Sequence, residues 1–105
     1  MRHIDVLLVC GSGASSGFMA VNMRKAAAAH NIDATITARS EAEVESYIDS
    51  IDALMIGPHL KYLADDLAAK YADKPVKIIL MQPEYYSTLN GEKAMKHLIK
   101  TLREG

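Results

Sequence analysis

The chain has one cysteine, Cys10, no tryptophan and only three prolines among its 105 residues. A single thiol excludes an intramolecular disulfide and offers no cysteine metal cluster, and no metal is expected. Positive charge is not in excess: 12 Lys and Arg stand against 13 Asp and Glu, net −1, which points away from nucleic acid and anionic membrane surfaces. Nowhere does an apolar run approach the roughly 20 residues that cross a bilayer, so direct membrane insertion is not expected. The start, Met-Arg-His-Ile-Asp-Val, lacks signal-peptide character because Asp5 interrupts its short apolar segment. Linkers, internal repeats and low-complexity tracts are also lacking. What remains reads as one soluble, cytoplasmic domain over residues 1–105, long enough to bury about two-thirds of its unfolded surface.

What is present alternates. Ile4 to Val9 is an apolar run expected of a strand buried on both faces. From Ser16 or Gly17 to about His30, Phe18, Met19, Val21, Met23, Ala26 and Ala27 fit a helical stripe. Ala34 to Ala38 favours a second strand. Ser40 with Glu43 forms a capping-box pattern ahead of a helix carrying Val44, Tyr47, Ile48 and Ile51. Ala53 to Ile56 is a third strand, closed by Gly57-Pro58. His59 to Ala72 is an amphipathic helix with Leu60, Leu63, Leu67, Ala68 and Tyr71 inside, and Pro75 opens a fourth strand, Val76 to Met81. Residues 82 to 91, QPEYYSTLNG, read as loop, and Glu92 to about Arg103 as the last helix. This β-α repetition predicts an α/β fold: a single four-stranded parallel sheet in the order 2-1-3-4, helices on both faces, flavodoxin-like. In such sheets ligands sit beyond the carboxyl ends of the strands, near the switch between strands 1 and 3.

Cys10 falls at that end of strand 1, on a loop opening a helix. Free N–H groups and the positive helix end lower a thiol's pKa and stabilise a nearby anion. Gly11, Gly13, Ala14 and Gly17 leave the backbone accessible, and Ser12, Ser15 and Ser16 add hydroxyl donors. The same cradle that activates the thiolate would hold a phosphoryl group attached to it. The pattern G-x-x-x-x-G-K-[ST] is absent, since Phe18 follows Gly17, and GSGASSG has its third glycine one place late for G-x-G-x-x-G. The fold is similar to that of low-molecular-weight Cys phosphatases, which also use a thiolate after strand 1. Their C-x5-R pattern is missing, because Ser16 stands where the arginine belongs and the next arginine is Arg24. The loop is better suited to carrying a phosphoryl group than to hydrolysing it.

At this point the residues resemble a family. Cys10, Gly13, Ser15 and Ser16 form C-x-x-G-x-S-[ST], similar to the phosphorylation loop of enzyme IIB proteins of the sugar phosphotransferase system (PTS), lactose/cellobiose (chitobiose) type. The likeness runs on through FMAVNMRKAAA, LMIGPHLKYL, DKPVKII and NGEKAM, with Gly-Pro-x-[Leu/Ile]-x-Tyr at residues 57 to 62. It implies a phosphotransferase in which Cys10 is the phosphocysteine nucleophile and residues Gly11, Ser12, Gly13, Ala14, Ser15, Ser16 and Gly17 bind the phosphoryl group. The donor would be a phosphohistidine on enzyme IIA, and the acceptor a sugar such as cellobiose, chitobiose or lactose on the membrane enzyme IIC. No cofactor is implied, and relatives of this type resemble soluble monomers that dock transiently. This chain departs from its relatives at His59, where Gln commonly follows Gly-Pro, and in a longer segment after strand 4. The alternatives are a Cys phosphatase or arsenate-reductase-like hydrolase, and a non-catalytic regulatory domain of the same fold.

Three further residues are candidates for crevice or partner contacts: His59 at a helix start, and Tyr85 and Tyr86, which would point oppositely if extended. Arg24 reads as a solvated helix face. His3, His30 and His97 are scattered without ligand spacing and read as surface residues.

Overall fold

Branched and leucine side chains from Ile4 to Val9 favour extended backbone. In the structure, a computed structural model that describes residues 3–9 and 14–104, they form the first strand, β1 (Ile4–Val9). There follow α1 (Ala14–Ala29), β2 (Ala34–Arg39), a tight turn at Glu41–Glu43 leading into α2 (Val44–Tyr47), and β3 (Ala53–Ile56). A second tight turn, Pro58–Leu60, opens α3 (Lys61–Lys70); then come β4 (Lys77–Leu80), α4 (Pro83–Tyr86) and α5 (Gly91–Glu104). The sheet is parallel in the order β2-β1-β3-β4, as the alternation predicts.

Successive residues of a strand point to opposite faces, which divides the core in two. Val6 and Leu8 of β1, Ala53 and Met55 of β3 and Ile79 of β4 pack with Met19, Met23, Met95 and Leu98 of α1 and α5. Leu7, Val9, Leu54 and Ile56 pack instead with Val44, Ile48, Leu63, Ala64 and Tyr71, from the α2 and α3 side. β1 and β3 therefore read as unbroken apolar runs because both of their faces are covered.

Several local expectations change. α1 begins at Ala14, and its buried stripe is Met19, Ala20, Met23, Ala26 and Ala27. Phe18 and Val21 lie off that stripe, 65% and 41% exposed. Arg24 is exposed as expected, and in addition its Nε and Nη2 donate to the Ile36 carbonyl at 2.9 and 2.6 Å, tying α1 to β2. α1 closes on Asn31, whose φ of 56° is the left-handed turn of a helix stop, with Ile32 N–H donating to the Ala27 carbonyl at 2.8 Å. In α3 the buried alanine is Ala64, and Ala68 is exposed. β4 is shorter than its apolar run, with Val76 and Met81 buried just outside it.

The segment expected to be loop after β4 contains a helical turn, α4. Pro83 supplies its first residue, where a missing N–H costs nothing, and the Ser87 N–H donates to the Pro83 carbonyl at 2.9 Å. Leu89 follows at φ 53°, held there by Asn22 Nδ2 donating to its carbonyl at 2.8 Å. Asn90 Oδ1 then accepts the Lys93 N–H at 3.1 Å and starts α5. Gly91, the first residue of α5, is buried so close to α1 that a Cβ added there would overlap the Asn22 carbonyl.

Candidate functional site

The register sets the carboxyl ends of the four strands along one edge: Val9 pairs with Arg39 on one side and Ile56 on the other, and Ile56 with Leu80. Beyond Ile56 the backbone stays tied to the central strand, since Gly57 N–H donates to the Val9 carbonyl at 2.9 Å. On β4, Met81 N–H donates to the Ile56 carbonyl at 2.8 Å. The residue after Val9 is Cys10, so the chain's single thiol follows one of the two central strands. Cys10, Gly11, Ser12 and Gly13 themselves lie outside the described residues, as do the side chains of Ala14, Ser15 and Ser16 in the first turn of α1. Gly17 belongs to that helix; a Cβ added to it would meet no described atom within 4 Å.

His59 is exposed on the turn Pro58–Leu60, which leaves the end of β3. Its ring stands 6.0 Å, centroid to centroid, from that of Tyr86 on α4, tilted by 47°. The structure thus brings these two candidates together across the exits of β3 and β4. Tyr85 goes elsewhere. It is 2% exposed, and its hydroxyl lies 2.6 Å from Nδ1 of His97 on α5, the rings meeting nearly edge-on at 71°. The expectation that Tyr85 could line the crevice or dock a partner is therefore corrected. In a helical turn adjacent residues diverge by about 100°, which sends Tyr85 inward toward α5 and leaves Tyr86 beside His59.

His97 is likewise no plain surface residue. Burial, with the nearby Lys100 charge, holds its pKa below the usual histidine value, and burial pushes the Tyr85 hydroxyl up to about 12. At neutral pH both groups are uncharged, and we assign the phenol as donor to Nδ1, which places the imidazole proton on Nε2. His3 behaves oppositely: hydrogen bonding to Asp33 raises its pKa, with the Asp5 charge adding to it. The folded protein thus binds the His97 proton less tightly than the unfolded chain does. Its contribution to stability is present above pH 6.5 and lost as pH falls from there through the folded value. The His3 contribution is present below pH 6.5 and lost as pH rises through its raised value. A histidine-resolved NMR titration is expected to place the His97 midpoint below 6.5 and the His3 midpoint above it; the reverse order would contradict the observed contacts.

Two large apolar side chains stand exposed near the same edge: Phe18, in the second turn of α1, and Tyr62, in the first turn of α3, which is 61% exposed. The sequence pattern places Phe18 in the apolar stripe because it adjoins the buried Met19, whereas Tyr62 is already outside the face expected to be buried. Among the described residues no group of three His, Cys, Asp or Glu side chains is placed to hold a metal ion. No described helix is long and apolar enough to cross a membrane.

Comparison with known proteins supplies what geometry alone does not. A family model described as "PTS system, Lactose/Cellobiose specific IIB subunit" matches residues 5–97. The galactose-specific EIIB component of Lactococcus lactis subsp. cremoris is 29% identical over 97 residues, 86% of this chain and 88% of the relative. The cellobiose-specific EIIB component of L. lactis subsp. lactis matches with the same identity and the same coverage. Among solved structures, the cellobiose-specific phosphotransferase IIB component of Borrelia burgdorferi superposes with a TM-score of 0.80 at 28% identity, over 98% of this chain and 94% of that one. The lactose-specific IIB domain of Streptococcus pneumoniae has the same fold, with a TM-score of 0.84 at 13% identity over 94% of this chain and 97% of its own.

Proposed function

Since the chain belongs to the lactose/cellobiose-specific IIB family of the sugar phosphotransferase system and is a phosphotransferase component, we propose that its single thiol, Cys10, carries the phosphoryl group. The observation that supports this most is positional. The only cysteine directly follows β1, inside the matched region and at the carboxyl edge where α1 begins.

In the proposed reaction the Cys10 thiolate attacks the phosphorus of a phosphohistidine on enzyme IIA. The S–P bond forms as the N–P bond breaks, and the freed imidazole takes up a proton. A hydroxyl of a sugar held by enzyme IIC then attacks the same phosphorus. The O–P bond forms, the S–P bond breaks, and the hydroxyl proton is lost to solvent or a neighbouring base. Backbone N–H groups and hydroxyls from Gly11 to Gly17 stabilise the transferring phosphoryl oxygens, a role that needs no metal and no diffusible cofactor. The domain, taken as residues 1–105, acts in the cytoplasm as a monomer and meets the membrane only through enzyme IIC. Sugar contacts lie in enzyme IIC, and the sugar is a disaccharide of the cellobiose, chitobiose or lactose kind.

The test is an intact-mass measurement under mild conditions after incubation with phosphoenolpyruvate, enzyme I, HPr and the cognate IIA. One phosphoryl adduct is expected. Rapid turnover of p-nitrophenyl phosphate with no adduct would replace this reading with a hydrolase.

The exposed Phe18 and Tyr62 are assigned to docking of enzyme IIA, together with His59, which is exposed on the turn leading into the helix of Tyr62. Phe18→Ala and Tyr62→Ala are expected to change folding stability by no more than about 0.5 kcal/mol, as substitutions of exposed residues do. The same changes should raise the KM for phospho-IIA several-fold, because aromatic anchors carry much of an interface's energy. Unchanged transfer kinetics would remove both residues from the docking surface.

A further inference from the structure

α5 carries a second constellation that the transfer chemistry does not use. Lys93, Lys96, His97 and Lys100 recur at helical spacing along the wall of an open groove of about 900 Å³ whose other wall is the start of α4, including Gln82 and Glu84. That volume is within the range of small-molecule sites. Among the described residues none of the three ammonium groups has a hydrogen bond or ion pair, although other lysines do, such as Lys61 with Asp65 and Lys74 with Asp49.

Two features set this groove apart from an ordinary solvated lysine face. First, His97 is held in place by the Tyr85 hydroxyl, 2.6 Å from Nδ1; with the phenol as donor, Nε2–H is left as a donor with no partner among the described residues. Secondly, the opposite wall presents acceptors, the Gln82 amide and the Glu84 carboxylate. Cations with an imidazole N–H suit a phosphate. A carboxylate facing them repels a long polyanion such as nucleic acid, yet accepts hydrogen bonds from hydroxyl groups. The combination selects a small ligand with an anionic end and a hydroxylated end.

We propose that the groove between α4 and α5 binds a phosphorylated sugar, its phosphate on Lys93, Lys96, Lys100 and His97 Nε2–H and its hydroxyls on Gln82 and Glu84. A sugar phosphate is the kind of compound that sugar transfer generates, so the groove is a place for the product to act back on the chain. α4 also carries Tyr86, which meets His59, so an occupant pressing on Tyr85 and His97 is one short helix away from the candidate site. The site does not depend on Cys10 as nucleophile; phosphoryl transfer is scored separately by mass, so either assignment can fail alone.

The experiment is an NMR titration of the full-length protein with glucose 6-phosphate, glucose and inorganic phosphate in turn. Glucose 6-phosphate is expected to shift the backbone signals of Lys93, His97 and Lys100 and the His97 ring signals, binding at least about tenfold more tightly than inorganic phosphate, with no response to glucose. Lys96→Gln with Lys100→Gln should weaken that binding by at least about tenfold while the spectrum stays dispersed. Equal responses to phosphate and glucose 6-phosphate would mean an adventitious ion only. Shifts confined to residues 10–17, or none by about 10 mM ligand, would likewise overturn the proposal.

Discussion

Cys10→Ser is expected to abolish phosphoryl transfer while leaving the fold intact. The proposed attack needs a thiolate, which even a free cysteine, with a pKa of about 8.5, forms in part at neutral pH. A serine hydroxyl in the same place stays protonated and needs a general base to attack phosphorus. Loss of a sole nucleophile elsewhere costs on the order of 10⁶-fold in turnover, and a comparable loss is expected here. Ser15→Ala is the informative companion. It removes at most one donor to the phosphoryl group, which is worth on the order of 10²–10³-fold or less. Rapid-quench measurement of transfer from phospho-IIA separates the two. A Cys10→Ser protein that still takes up phosphate at a rate near the native one would move the carrier role to another residue.

The largest expected effect on folding falls at Gly91. By helix propensity alone, Gly91→Ala should stabilise α5 by about 1 kcal/mol. Packing predicts the opposite sign. A Cβ at this position would overlap the Asn22 carbonyl of α1, and the obstacle is backbone, which cannot swing aside as a side-chain tip would. Separating two helices that share Met19, Met23, Met95 and Leu98 in one core disturbs their packing throughout. Overpacking of this kind costs about 1–3 kcal/mol, and after the propensity gain is deducted the net destabilisation should reach up to about 2 kcal/mol. For a domain of this size each kcal/mol lowers Tm by roughly 4–8 °C. Thermal unfolding followed by circular dichroism decides the sign; a raised Tm would show that α5 can shift without penalty.

The topology was legible because the two central strands are covered on both faces and so announce themselves as continuous apolar runs. The topology likewise led to the expectation that Cys10 falls at the carboxyl edge; the described residues place Val9, which directly precedes it, at that end of β1. What escaped sequence reading depends on distance in the chain. His97 and Tyr85 are 12 residues apart, and nothing local indicates that a buried phenol will hold the imidazole. The tie from exposed Arg24 to β2 was not legible because its acceptor is a main-chain carbonyl, which carries no side-chain signature. The turn α4 was hidden by Pro, Asn and Gly, residues that punctuate loops but here start one short helix and follow it. Phe18 fitted the apolar stripe of α1 in sequence, and its exposure shows only in the structure, whereas Tyr62 lies off the buried face expected of its helix.

The placement of β1 also bears on where motion can arise. Its last residue, Val9, is fully buried and has strand partners on both sides, Arg39 and Ile56. Backbone amides at such positions open only in the largest unfolding events, whereas edge strands and chain ends open locally. In hydrogen-exchange terms the proposed nucleophile, Cys10, follows directly on a strand expected to exchange among the slowest in the molecule. In the proposed reaction the sheet is then the fixed end, and bringing phosphorus and sulfur together falls to the approach of the partner proteins.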